Sequence, residues 1–104
     1  MKFGLEDRVI DQIIDILKTF VFIDKAVLYG SRAKGNYKEG SDIDLCLFGN
    51  DIDLILLHKV KLTLDDIFLP YSFDLSAYNL LKNPDLKSHI DRRGIVFFTA
   101  VKIS

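Results

Sequence analysis

The residues best suited to chemistry stand in two short runs. Tyr29-Gly30-Ser31-Arg32-Ala33-Lys34-Gly35 sets a Gly-Ser turn among basic side chains, and Ser41-Asp42-Ile43-Asp44-Leu45 sets two carboxylates two residues apart. A glycine after an apolar run lets the backbone bend sharply and lets a ligand approach closely. If a helix starts at Ser31, its free amides favour an anion. The Ser31 hydroxyl adds a donor, and Arg32 and Lys34 supply positive charge to the same phosphates. Taken alone, the run also reads as an ordinary turn.

Strand side chains alternate, so Asp42 and Asp44 are expected to project to one face, where, unpaired, the two carboxylates would repel each other. A divalent cation removes that conflict, and hard oxygen ligands suit magnesium. The plainer alternative is a solvated strand end with Asp42 capping a turn. Against it, Asp44 sits between Ile43 and Leu45 in an apolar run, where an idle carboxylate is costly. Asp74, at the centre of Tyr71-Ser72-Phe73-Asp74-Leu75, is the third candidate. Three clustered carboxylates can hold two metals, one polarising an attacking hydroxyl and one neutralising a triphosphate, and Asp74 can draw the proton from the nucleophile. An aspartate in a strand can equally pair with Lys or Arg.

These side chains need elements to position them. Leu5, Val9, Ile13, Ile16, Leu17 and Phe20 recur at helical spacing and predict a helix over Leu5 to Phe20. Ala26 to Tyr29 predicts a short buried strand ending at Gly30, and Ser31 to Gly35 a short helix or tight turn. Asn36 to Ser41 is a polar loop, and Ile43 to Phe48 a second strand. Asn50 or Asp51 is expected to cap a helix running to about Phe68, with Leu54, Leu57, Lys61, Leu64 and Phe68 as its stripe and Pro70 beyond its end. Tyr71 to Ala77 is a third strand. Asn83-Pro84 starts a last helix that Gly94 ends, and Ile95 to Val101 can add an edge strand. The order predicts one α/β domain over residues 1–104, with a mixed sheet of about four strands packed with helices.

The chain has 104 residues and a net charge of −1, so attraction for phosphates must come from local clusters of Arg and Lys. No direct nucleic-acid binding is expected, and Lys82, Lys87, Arg92 and Arg93 read as a solvated face. The lone Cys46 excludes an internal disulfide and a cysteine zinc cage, and its apolar surroundings predict an inert thiol. Acidic Glu6 and Asp7 interrupt the first residues, so no export signal is read. With no segment long and apolar enough to span a membrane, a cytoplasmic protein is expected.

The two runs together, with ten residues between Gly30-Ser31 and Asp42-Ile43-Asp44, resemble the nucleotidyltransferases related to the palm of DNA polymerase beta. The likeness is strongest to the minimal nucleotidyltransferases of the MNT or MntA antitoxin type, and it covers nearly the whole chain. It implies a small palm-like fold in which Gly30 and Ser31 bind the triphosphate of ATP. Asp42 and Asp44 would bind magnesium, and Asp74 would complete the carboxylate triad. It also implies a HEPN-domain partner, often an RNase toxin, whose tyrosine receives AMP.

So small a palm leaves no room for a separate acceptor-binding domain, and Phe22, Phe97 or Phe98 could form a docking patch for the molecule that brings the acceptor. Tyr37, in the loop with Lys38, could stack on the base or be an ordinary loop tyrosine. His58 and His89 share no ligand spacing and are expected to be structural or solvated. Two competing readings are a non-catalytic antitoxin that occludes its partner and a transferase acting on a small molecule.

Overall fold

Val9, Ile13 and Leu17 recur every four residues, and they are the side chains buried by helix α1, Asp7–Lys18. The computed structural model describes residues 1–101. After α1 come strand β1, Lys25–Tyr29, the one-turn helix α2, Ser31–Lys34, and strand β2, Ile43–Phe48. Helix α3, Leu54–Asp65, leads to strand β3, Phe73–Ala77, and a 3-10 turn at Tyr78–Leu80 that the sequence pattern does not signal. Helix α4, Pro84–Arg93, and strand β4, Ile95–Thr99, complete the order. Val101, expected within the last strand, lies beyond it.

The sheet order is β3-β2-β1-β4. β1 is antiparallel to both β2 and β4, whereas β2 and β3 run parallel. The sheet is therefore mixed, and α3 is the crossover that a parallel pair requires. Alternation divides its two faces. Ala26, Leu28, Ile43, Leu45, Leu47, Phe73 and Ala77 join Val9, Ile13, Leu17, Val60 and Leu64 in the main core. The opposite face carries a smaller cluster, in which Val27 and Cys46 meet Ile90 of α4. Cys46 is buried there as a free thiol.

Helix ends follow their capping chemistry. Asn83 Oδ1 accepts from the amides of Asp85 and Leu86 at 2.9 and 3.3 Å, with Pro84 next in the chain. At α3 the cap is Asp53, not Asn50 or Asp51, and its Oδ1 accepts from the Leu56 amide at 2.8 Å. The expected α3 stripe also needs correction. Val60 and Leu64 are buried, while Leu54 and Phe68 are among the most exposed apolar residues.

Phe97 and Phe98 are likewise not an exposed patch. The pairing of β4 with β1 shifts register between Ala26 and Val27. Such an irregularity turns consecutive side chains to one face, and both phenylalanines enter the main core. Phe22 packs partly buried on that core beside Phe20.

Gly94 ends α4 with an ordinary negative φ, so it is not required for a left-handed turn. It is required for space, because a Cβ there would collide with Val27 Cγ1 and sit against the Ile90 carbonyl. Gly94→Ala should destabilise the fold by about 1–3 kcal/mol, the usual scale of overpacking. Thermal unfolding would register this as a clear fall in Tm.

Candidate active site

Parallel pairing sets Asp44 of β2 directly opposite Asp74 of β3, and antiparallel pairing sets Asp44 opposite Tyr29 of β1. Asp44 and Asp74 share the sheet face opposite the main core. Asp44 is half-buried, while Asp42 and Asp74 are exposed. Burial pushes the Asp44 carboxyl up from 3.8 to about 6, assisted by the negative charges of Asp74 and Asp42 and a hydrogen bond with Asp74. Arg32 opposes this shift. The carboxylates predicted to cooperate thus form an Asp44–Asp74 pair, with Asp42 close enough to act through its charge. Among the described residues, no three His, Cys, Asp or Glu side chains close into a ready-made cation cage.

The donor set nonetheless suits a divalent ion. All three groups are hard carboxylate oxygens, and burial together with its neighbours' charge disfavours the ionised form of the central one. A cation beside Asp44 would relieve that repulsion.

Gly30 brings the phosphate-type turn against this pair. Its φ of 77° and ψ of −153° belong to a region open essentially to glycine alone. A Cβ on Gly30 would also overlap Asp44 Oδ2. Ser31 opens α2 immediately afterwards, and the Lys34 amide donates to the Gly30 carbonyl at 3.1 Å. Lys34 is exposed at the end of this turn.

Arg32 departs from its expected role at the phosphates. It is only 2% exposed. Nε and Nη2 donate to the Ser41 carbonyl at 3.0 and 2.8 Å, and Nη1 donates to the Phe3 carbonyl at 2.9 Å. Its guanidinium also lies over the rings of Tyr37 and Tyr71, 5.3 and 4.9 Å from their centroids. Tyr37 also packs over Gly4, where a Cβ would meet its ring. The loop thus folds back onto the N-terminal segment. Arg32 anchors Ser41, the residue before Asp42, so it positions a carboxylate instead of offering a free cation.

Arg32→Ala would leave the Ser41 and Phe3 carbonyls unpaired, with an expected loss of about 1–3 kcal/mol per unsatisfied group. Lysine should rescue poorly, because a single ammonium cannot reproduce the planar fork. Thermal unfolding of both variants checks this.

Two side chains beside the pair were not singled out from the sequence. The Tyr29 hydroxyl lies 3.5 Å from Ser76 Oγ, and the Tyr29 ring meets His89 of α4 edge-on at 6.4 Å. Burial raises the Tyr29 pKa, with smaller contributions from Asp74 and Asp44. The available signal was alternation, since Ser76 follows Asp74 by two residues in one strand. His89 is therefore half-buried against the site wall, whereas His58 is exposed on α3.

Comparison with known proteins bears on the fold that carries this site. No curated protein matches the chain. A chain of a toxin–antitoxin crystal structure with AMP-PNP superposes with a TM-score of 0.73 at 20% identity, covering 88% of this chain and 73% of that one. A chain from the complex of tri-AMPylated Shewanella oneidensis HEPN toxin with MNT antitoxin gives 0.69 at 17% identity, covering 92% and 74%. The MntA-HepT toxin–antitoxin structure gives 0.68 at 18% identity, covering 91% and 74%. These likenesses establish the shared fold. The family model described as "Polymerase beta, Nucleotidyltransferase" matches residues 11–102. The chain therefore belongs to the polymerase beta nucleotidyltransferase family.

Proposed function

We propose that this chain is a magnesium-dependent nucleotidyltransferase that moves AMP from ATP to a tyrosine hydroxyl of a HEPN-type toxin, acting as the antitoxin of the pair. In this reading residues 1–104 form one minimal catalytic domain, cytoplasmic and assembled with its toxin in a hetero-oligomer. The observation that carries it is the Asp44–Asp74 pair set against the Gly30-Ser31 turn. The toxin is suggested by the solved structures of similar fold, which are toxin–antitoxin complexes. No helix among the described residues is long and apolar enough to cross a membrane.

Each residue then has a task. Gly30, with no side chain, lets the triphosphate lie close to the backbone, and Ser31 supplies a hydroxyl and an amide to it. Lys34 offers charge to the same phosphates. Asp42, Asp44 and Asp74 would hold magnesium, which when bound supplies Lewis-acid activation and charge neutralisation. Asp74 is exposed and able to accept the proton of an incoming hydroxyl. The exposure of Asp42 and Asp74 leaves this end of the site accessible to a hydroxyl carried on a folded partner.

Toxin neutralisation in cells by an Asp44→Ala variant, at matched abundance and matched affinity for the toxin, tests the reading. Loss of protection is expected. Full protection would instead support neutralisation by occlusion.

A further inference from the structure

A second charged feature lies at the same end of the sheet, on the other side of the Gly-Ser turn. Lys34, Asn36, Arg92, Arg93, Gly94 and Ile95 line a cleft of about 670 Å³ together with Ala33. The sequence offered Arg92 and Arg93 as part of a scattered solvated face, but the fold brings them to Lys34. Gly94 makes this possible, because its missing side chain lets the end of α4 press onto Val27 of β1. Lys34, Arg92 and Arg93 are exposed and have no ion-pair partner among the described residues. Among the described residues these three side chains make one hydrogen bond, a long 3.4 Å contact from Arg92 Nε to the Ser88 carbonyl.

Strand register orders the parts across the sheet. Asp74 pairs with Asp44, Asp44 with Tyr29, and the neighbouring Leu28 with Ile95 at the mouth of the cleft. Carboxylates, Gly-Ser turn and basic cleft therefore follow one another in a line. Lys34 stands one helical turn, about 5 Å, beyond Ser31.

We infer that this cleft binds the terminal phosphates of the nucleoside triphosphate and receives the pyrophosphate leaving group, with Arg92 and Arg93 as its phosphate-binding arms. The inference rests on the nucleotidyl-transfer reading above. In that reaction the acceptor oxygen bonds to the α-phosphorus as the bond from that phosphorus to its bridging oxygen breaks. The bridging oxygen keeps the electron pair and departs with pyrophosphate, and the acceptor proton passes to a carboxylate of the site. Negative charge thus collects on the side away from the acceptor, where the unpaired cations lie. Guanidinium forks suit this charge, since they can bind two phosphate oxygens at once.

The test compares wild type with an Arg92→Gln/Arg93→Gln double variant in the presence of magnesium. Dissociation constants would be measured for ATP, ADP and AMP, and the inhibition constant for pyrophosphate. The double variant should bind ATP and pyrophosphate about tenfold more weakly, a change of about 1.4 kcal/mol, and bind AMP as wild type does. Unchanged ATP affinity, or equal weakening of ATP and AMP, would overturn the inference while leaving nucleotidyl transfer intact. Loss of toxin binding with nucleotide affinities unchanged would overturn it too, assigning the cleft to the partner. If wild-type protein binds none of the nucleotides, the broader transfer reading fails as well.

Discussion

Asp44→Asn should abolish transfer and yet make the protein harder to unfold at neutral pH. The folded chain holds Asp44 half-buried beside Asp74, with its pKa at about 6 instead of 3.8. Between those two values the folded state keeps a proton that the unfolded chain has already lost. Stability from this group is therefore fully present below about 3.8 and is lost as pH rises through about 6. Above that pH the folded protein carries a carboxylate its surroundings oppose. An asparagine removes the charge, and its amide can donate to Asp74. Screened by the solvent that reaches the pair, the gain is about 1 kcal/mol, or about 4–8 °C in Tm for a domain of this size. Transfer should fall at least about a hundredfold, the scale lost with one preorganised electrostatic contact at a reacting centre. Thermal unfolding at pH 4 and pH 7.5 checks the stability claim. A variant less stable than wild type at pH 7.5, or equally stabilised at both pH values, would show that Asp44 is not under electrostatic strain.

Gly30→Ala should fail in both respects. The backbone at Gly30 occupies a conformation that strains any other residue by about 1–3 kcal/mol. The new methyl group would also displace the Asp44 carboxyl that now rests against the glycine. Tm should fall by at least about 5 °C, and transfer should fall even at temperatures where the variant remains folded. Recovery of activity at low temperature to the wild-type level would mean that Gly30 serves folding alone. The two variants are complementary, because Asp44→Asn separates activity from stability while Gly30→Ala loses both.

Much of this site was legible because its chemistry is local. The Gly-Ser turn needs a glycine after a buried strand, and an aspartate between Ile43 and Leu45 needs only alternation to face away from the main core. The mixed α/β architecture followed from the order of periodic segments, and the α4 cap from Asn83-Pro84. What was misread depends on contacts distant in sequence. Arg32 looked like a phosphate ligand beside Ser31, but Phe3, Tyr37, Ser41 and Tyr71 converge on it only in the folded chain. In α3, Leu54, Ile55 and Leu62, with Phe68 just beyond the helix end, add apolar surface around the buried Val60 and Leu64, so spacing alone could not single out the inner face. Phe97 and Phe98 are adjacent, and alternation would expose one of them; the irregular pairing at Ala26 and Val27 buries both. The convergence of Lys34 with Arg92 and Arg93 likewise depends on the turn at Gly94.

The most direct measurement is the intact mass of a co-purified toxin partner after incubation with this protein, ATP and magnesium. The expected result is a gain of one or more adenylate units on the partner, mapped to a tyrosine and absent with Asp44→Asn. An unmodified partner, under conditions in which the complex forms and ATP is bound, would contradict adenylyl transfer to the toxin.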